Sequence, residues 1–201
     1  DLGLVLPESG ARVDFGAGPA IILGDDPTDG DKPAAPRELL DLLSYGEPRA
    51  LEFDPSDPDR TFRYDIGKRP GFLDGRPGLW WTVNGRVFPD VPMYMVKEGD
   101  VVLFRIDNDS DDTHPMHLHG HHAVVLSRNG KPSTGSPWVV DSLEVPAGET
   151  FEIAFVADNP GIWMDHCHNL RHAAEGLVAH LMYTGIESSY LIGGEPGNRP
   201  E

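Results

Sequence analysis

His166-Cys167-His168-Asn169-Leu170-Arg171-His172-Ala173-Ala174-Glu175-Gly176-Leu177 stands between two apolar runs, Ile162 to Cys167 and Leu177 to Tyr183. Both runs have the length of strands, and the residues between them suit a short helical stretch. Side chains alternate along a strand, so His166 and His168 share one face and Cys167 takes the other. One ion therefore cannot take all three. The pattern serves two metal sites on opposite sides of one strand, joined through covalent bonds. His172 lies five residues beyond Cys167, where a turn of helix returns it to the cysteine's side.

Outward from this stretch, strand signals recur between turns. They are Thr61 to Ile66, Trp80 to Val83 with Val87-Phe88 after the Asn84-Gly85 hairpin signal, Val101 to Ile106, and Ala123 to Ser127 before Asn129-Gly130. Trp138 to Val145 and Phe151 to Val156 flank Pro146-Ala147-Gly148 and read as a further hairpin. About eight short strands at this spacing predict an all-β fold, a Greek-key β-sandwich or barrel with short helical segments. We expect residues 1–58 to be the tail of a preceding domain plus a linker, residues 59–185 the domain itself, and residues 186–201 a C-terminal tail. Within the first part, Val13 with Phe15 and Ala20 to Leu23 read as strands, and Pro36 to Ser44 as a short helix. The chain opens Asp1-Leu2-Gly3 without an initiator Met or a signal pattern, so it is expected to be processed or part of something longer.

Composition narrows the function. The 201 residues hold 16 Lys+Arg against 33 Asp+Glu, a formal net charge of −17, which would repel a nucleic acid. No run of 18 apolar residues is present to span a membrane. Gly 23 and Pro 19 favour strands and turns over a helical bundle. A lone cysteine excludes an internal disulfide, so Cys167 acts as a thiol or a ligand.

Eight of the nine histidines fall in two windows, the quoted stretch and His114-Pro115-Met116-His117-Leu118-His119-Gly120-His121-His122. His117 and His119 share a strand face, while His114 sits where the chain enters the strand. Two sites follow. Cys167 with His114 and His172 is a thiolate and two imidazoles, the blue-copper set. His117, His119, His166 and His168 form a second set of imidazoles, which taken alone suits copper, zinc or iron. The covalent link to a thiolate site favours copper for both.

These two windows, His114 to His121 and His166 to Leu177, resemble the third and fourth copper motifs of multicopper oxidases, over roughly residues 59–185. The resemblance implies a C-terminal cupredoxin domain of a laccase-like, bacterial-type oxidase. It implies type 1 copper on His114, Cys167 and His172, with Leu177 at the non-coordinating axial position. It assigns His117 to the type 2 copper and His119, His166 and His168 to the type 3 pair, with Cys167, His166 and His168 carrying electrons. It further implies phenols, aromatic amines or metal ions as small reductants, O2 as the acceptor, and an exported, periplasmic or extracellular location. The family's trinuclear cluster takes eight histidines, four of them from an N-terminal domain. Residues 1–113 here contain none. This chain would thus supply half of the cluster, and an N-terminal cupredoxin domain of the same oxidase, or another subunit, the rest.

Plainer readings surround these residues. His121 is expected to orient a ligand, His122 to stay unliganded, and His180 to be a hydrogen-bonded structural histidine. Met93, Met95, Met116, Met164 and Met182 read as core filler. Asp165 is a candidate proton relay, and Trp138 and Trp163 border the substrate face or the core. A non-enzymatic electron-transfer or copper-binding cupredoxin needs only the thiolate site and leaves the paired histidines unexplained. A cupin-type mononuclear enzyme would want a Glu a few residues after His119, whereas none follows before Glu144. A structural zinc site fails because the strand splits the cysteine from its neighbouring histidines.

Overall fold

The structure is a computed structural model that describes residues 11–14, 20–23 and 40–188. The chain divides into two compact units, Asp1–Leu40 and Asp41–Glu201. In the first, β1 (Ala11–Asp14) and β2 (Ala20–Leu23) form an antiparallel pair. Both strands are those expected from the sequence, although Phe15 lies outside the described residues.

The second unit runs β3 (Arg60–Leu73), β4 (Arg76–Val83), β5 (Met93–Val96), β6 (Val101–Asn108), β7 (His114–Leu118), β8 (Ala123–Arg128) and β9 (Lys131–Pro132). It continues β10 (Val139–Val140), β11 (Ser142–Val145), β12 (Thr150–Val156), β13 (Ile162–Cys167), α1 (Leu170–Ala174) and β14 (Val178–Tyr183). One sheet has the order β10-β8-β12-β6-β3-β4, with β9 on β8, and the other β11-β7-β13-β14-β5. Both are mixed, since β3 runs parallel to β6 and β14 parallel to β5. The expected β-sandwich is therefore the one observed.

Period-two alternation builds the core. Tyr64, Phe104, Phe151 and Phe155 point inward from the first sheet, and Tyr94, Met116, Leu118, Leu181 and Tyr183 from the second. Each large apolar side chain so buried contributes roughly 1.5–3 kcal/mol. β7 and β13 lie side by side in the second sheet, with His166 opposite His117 and Cys167 opposite Met116. After α1 the chain returns so that the Cys167 N–H donates to the Leu177 carbonyl at 3.2 Å.

Three local expectations change. The hairpin of Trp138–Val145 with Phe151–Val156 does not form: β11 pairs β7 in one sheet, while β12 lies between β6 and β8 in the other. Pro146-Ala147-Gly148 carries the chain across the sandwich, and turn residues alone do not distinguish a hairpin from such a crossing. Asn84-Gly85 does turn, at φ 52° and 71°, but is followed by a single bridge from Arg86 to Val83 and no strand at Val87-Phe88. The main partner of β4 is β3, reached through a tight Asp74-Gly75 turn. The helix expected over Pro36–Ser44 lies mostly outside the described residues, and its described end, residues 42–44, is a turn. There Leu43 alone is buried, while Leu40 and Leu42 are exposed.

Gly120 closes β7 at φ +73°, and a Cβ added there would lie 2.6 Å from the Trp163 ring. Gly130 has a similar φ, +74°, with open space around it. Gly120→Ala is therefore expected to cost about 1–3 kcal/mol more than Gly130→Ala, because only the first adds overpacking to left-handed strain. Urea unfolding of the two variants checks this.

Candidate metal centre

Cys167, His114 and His172 converge although they are far apart in the chain. The Cys167 Sγ lies 3.7 Å from His114 Nδ1 and 3.8 Å from His172 Nδ1, and the two nitrogens are 3.1 Å apart. Among the described residues these three form the group of Cys, His and carboxylate side chains whose ligand atoms lie within 4.8 Å of one another. Cys167 and His114 are fully buried, while His172 reaches the surface in part. Burial lowers the His114 pKa to about 4 and lowers that of His172, so both rings are neutral at pH 7 with lone pairs available. Burial also pushes the Cys167 thiol up to about 11, and a hydrogen bond from the Asn169 backbone offsets this only in part. A bound cation would supply the remaining compensation and deprotonate the sulfur.

Hydrogen bonds fix which nitrogen is offered. Ser110 Oγ donates to Asn108 Oδ1 at 2.7 Å, and so accepts from His114 Nε2–H at 2.9 Å. That leaves the His114 Nδ1 lone pair aimed at the sulfur. Asn108 is fully buried and held by the Asp112 and Val145 carbonyls, so the chain of bonds is anchored. Trp81, 1% exposed, packs against both imidazoles with ring centroids 4.5 and 4.6 Å away. The Lys68 ammonium lies over that ring, 3.8 Å from its centroid, and pairs with Asp112. Sequence reasoning missed Ser110, Trp81 and Lys68. Only the turn-like Asn108-Asp109-Ser110 before β7 hinted at the first.

On the opposite face of β13 the other four histidines gather. Ring centroids are 4.7 Å apart for His117 and His119, 5.1 Å for His119 and His166, 5.2 Å for His117 and His168, and 5.5 Å for His166 and His168. His166 Nδ1–H donates to the Cys167 carbonyl at 3.0 Å, and His117 Nδ1–H to the Asp141 carbonyl at 2.9 Å. Both rings are thereby turned to present Nε2, and His166 Nε2 meets His119 Nε2 at 3.0 Å. His168 is exposed.

The remaining candidates separate. His121 is buried; its Nδ1–H donates to the His119 carbonyl at 3.1 Å, and its Nε2 accepts from the Tyr183 hydroxyl at 2.6 Å. His122 is exposed. His180, expected to be hydrogen-bonded, is buried without a side-chain hydrogen bond among the described residues. Of the five methionines only Met116 belongs to the core; Met93 and Met95 are exposed, and Met164 and Met182 half-buried, because their strand positions face outward. Trp138 and Trp163 pack against the core. Asp165, the candidate proton relay, is buried in β13 two residues from Cys167, on the strand face opposite His166. Its burial raises the carboxyl pKa to about 8.

Two expectations follow. Ser110→Ala should lower copper affinity about 10–100-fold, measured by competition with a chelator, because the His114 tautomer is no longer held. The second concerns the metal-free chain. His114, His121, His166, His172 and His180 all have folded pKa values below 6.5, so the unfolded state binds more protons and stability rises as pH approaches 6.5. Asp165 acts oppositely: with its pKa raised from 3.8 to about 8, stability falls as pH climbs between them. Unfolding experiments should therefore show a maximum near pH 6.5 and a decline toward pH 8, and Asp165→Asn should flatten that decline.

A family model described as "Multicopper oxidase" matches residues 53–185. The iron transport multicopper oxidase fio1 of Schizosaccharomyces pombe is 39% identical over 116 residues, covering 52% of this chain and 18% of that protein. Laccase-1 of Botryotinia fuckeliana is 36% identical over 121 residues, 57% of this chain and 21% of the relative. The chain thus spans about a fifth of the length of these curated relatives. Among solved structures, the blue copper oxidase from Nitrosomonas europaea superposes with a TM-score of 0.57 at 26% identity, over 66% of this chain and 47% of that one. Matched over residues 53–185, which hold Cys167, His114 and His172, this chain belongs to the multicopper oxidase family.

Proposed function

We propose that this chain is the C-terminal copper domain of a laccase-like oxidase. In this reading His114, Cys167 and His172 hold the type 1 copper, and His117, His119, His166 and His168 provide half of a trinuclear site of type 2 and type 3 copper. The other half comes from an N-terminal cupredoxin domain, in the same polypeptide or another subunit. Copper at these positions would supply one-electron transfer from a small reductant and the reduction of O2 to water.

The observation that carries the reading is the opposition of Cys167 and His166 across β13, with the His166 ring hydrogen-bonded to the Cys167 carbonyl. One peptide unit and one hydrogen bond thus join the two sets of ligands. Leu177 is fully buried after α1, and at the axial position that the family resemblance gives it, it would offer a copper no donor. An absent axial sulfur disfavours the cupric form, which suits a site that must accept electrons. His172, beside the Asn169 side-chain amide at 3.2 Å, is the one partly exposed residue of the three and offers reductants a way in. Phenols, aromatic amines and low-valent metal ions fit that role, and the net charge of −17 favours neutral or cationic ones.

Copper loading of the isolated chain tests this. About one copper with an intense blue thiolate band, and no oxygen uptake, is the expected outcome. Cys167→Ser should abolish the band, and Leu177→Met should lower the reduction potential while keeping it. Absence of a blue band after loading would overturn the reading.

A further inference from the structure

The β11-β7-β13-β14-β5 sheet has an outward face, and its three neighbouring strands β13, β14 and β5 concentrate sulfur there. Register places Met93 of β5 and Met164 of β13 on either side of His180 in β14. Met182, two residues along β14, follows on the same face, with Met95 beside it. The intervening residues Tyr94, Asp165, Ala179 and Leu181 are buried, which confirms the direction of the alternation. Four of the five methionines of the chain therefore share one face of three strands, and a histidine stands at their centre.

His180 makes the patch more than an apolar surface. It is 6% exposed, its side chain has no hydrogen-bond partner among the described residues, and burial keeps it neutral. Its ring nitrogens are not among the buried polar atoms left without a partner, which among the described residues are the Tyr64 hydroxyl and Trp81 Nε1, so a neutral lone pair stays open on this face. Its lone pair lies among flexible thioethers. Methionine has three rotatable bonds, and neighbouring strands stand about 4.7–4.9 Å apart, so the sulfurs can close on a point above His180. Three thioethers and an imidazole are soft donors without charge, a set that selects a monovalent soft ion over zinc or cupric copper.

We propose that His180, Met93, Met164 and Met182 form a separate binding site for a cuprous ion. The site lies on the same sheet face as the four outward histidines: His166 pairs with Val178, two residues before His180, and the His119 N–H donates to the Met164 carbonyl at 3.0 Å. It uses no residue of the Cys167 centre and does not rest on the assignment of that centre.

The test uses the full chain carrying Cys167→Ser, with methionine methyl groups labelled with carbon-13, titrated with Ag(I) as a redox-inert stand-in and then anaerobically with Cu(I). The methyl signals of Met93, Met164 and Met182 should shift together and saturate at a common equivalence. Met116 pairs with position 167 of β13, so its methyl signal reports separately any metal taken up by the remaining His114 and His172. His180→Phe should weaken the binding about tenfold or more, and its metal-free methyl spectrum shows whether it has folded. If the three signals do not move through several equivalents, the face is an apolar docking surface and the proposal is wrong. Unchanged affinity in a folded His180→Phe would overturn it as well.

Discussion

Alternation of side chains along β13 is the constraint on which the metal chemistry depends. Because successive residues of a strand point to opposite faces, Cys167 and His166 are forced apart in space while staying one peptide unit apart in the chain. The sandwich then gives each face a different environment. On the inner side Cys167 meets His114 from β7 and His172 from α1, with Trp81 sealing both rings. On the outer side His166 joins His117, His119 and His168. A helix at this position would have spread the three residues of His166-Cys167-His168 at about 100° intervals and blurred the division.

Burial does the second part of the preparation. It holds the imidazoles neutral and the thiol protonated, so the inner site stores no charge until a cation arrives. Backbone carbonyls and one serine then select the nitrogen that three of the rings offer. Ser110 turns His114 to present Nδ1, whereas the Cys167 and Asp141 carbonyls turn His166 and His117 to present Nε2. Such tautomer control needs no extra charge in the core, and it links ligand geometry to the same sheet that fixes the fold.

Much of this was legible in the sequence because it depends on local spacing. The i, i+2 rule separated Cys167 from His166, and turn residues around apolar runs gave β6, β8, β12 and β13. What depends on long-range pairing was not legible. Pro146-Ala147-Gly148 has the residues of a hairpin, yet β11 and β12 belong to different sheets. Trp81 reaches the inner site because β4 follows β3 through the Asp74-Gly75 turn, whose strands could not be assigned without their register. The methionines misled for a related reason: Met is an apolar residue by composition, and only strand register shows that Met93, Met95, Met164 and Met182 point outward.

The inner and outer faces thus offer different donors, a cysteine with two imidazoles on one side and neutral imidazoles and thioethers on the other. The assignment of Cys167, His114 and His172 as one centre is the claim that the oxidase reading stands on. X-ray absorption at the copper edge, on the chain loaded with a single equivalent of Cu(II), tests it most directly. The account predicts one short copper–sulfur contact, two nitrogen neighbours and no second sulfur, since Leu177 has none to give. A shell of nitrogen neighbours without sulfur would contradict it.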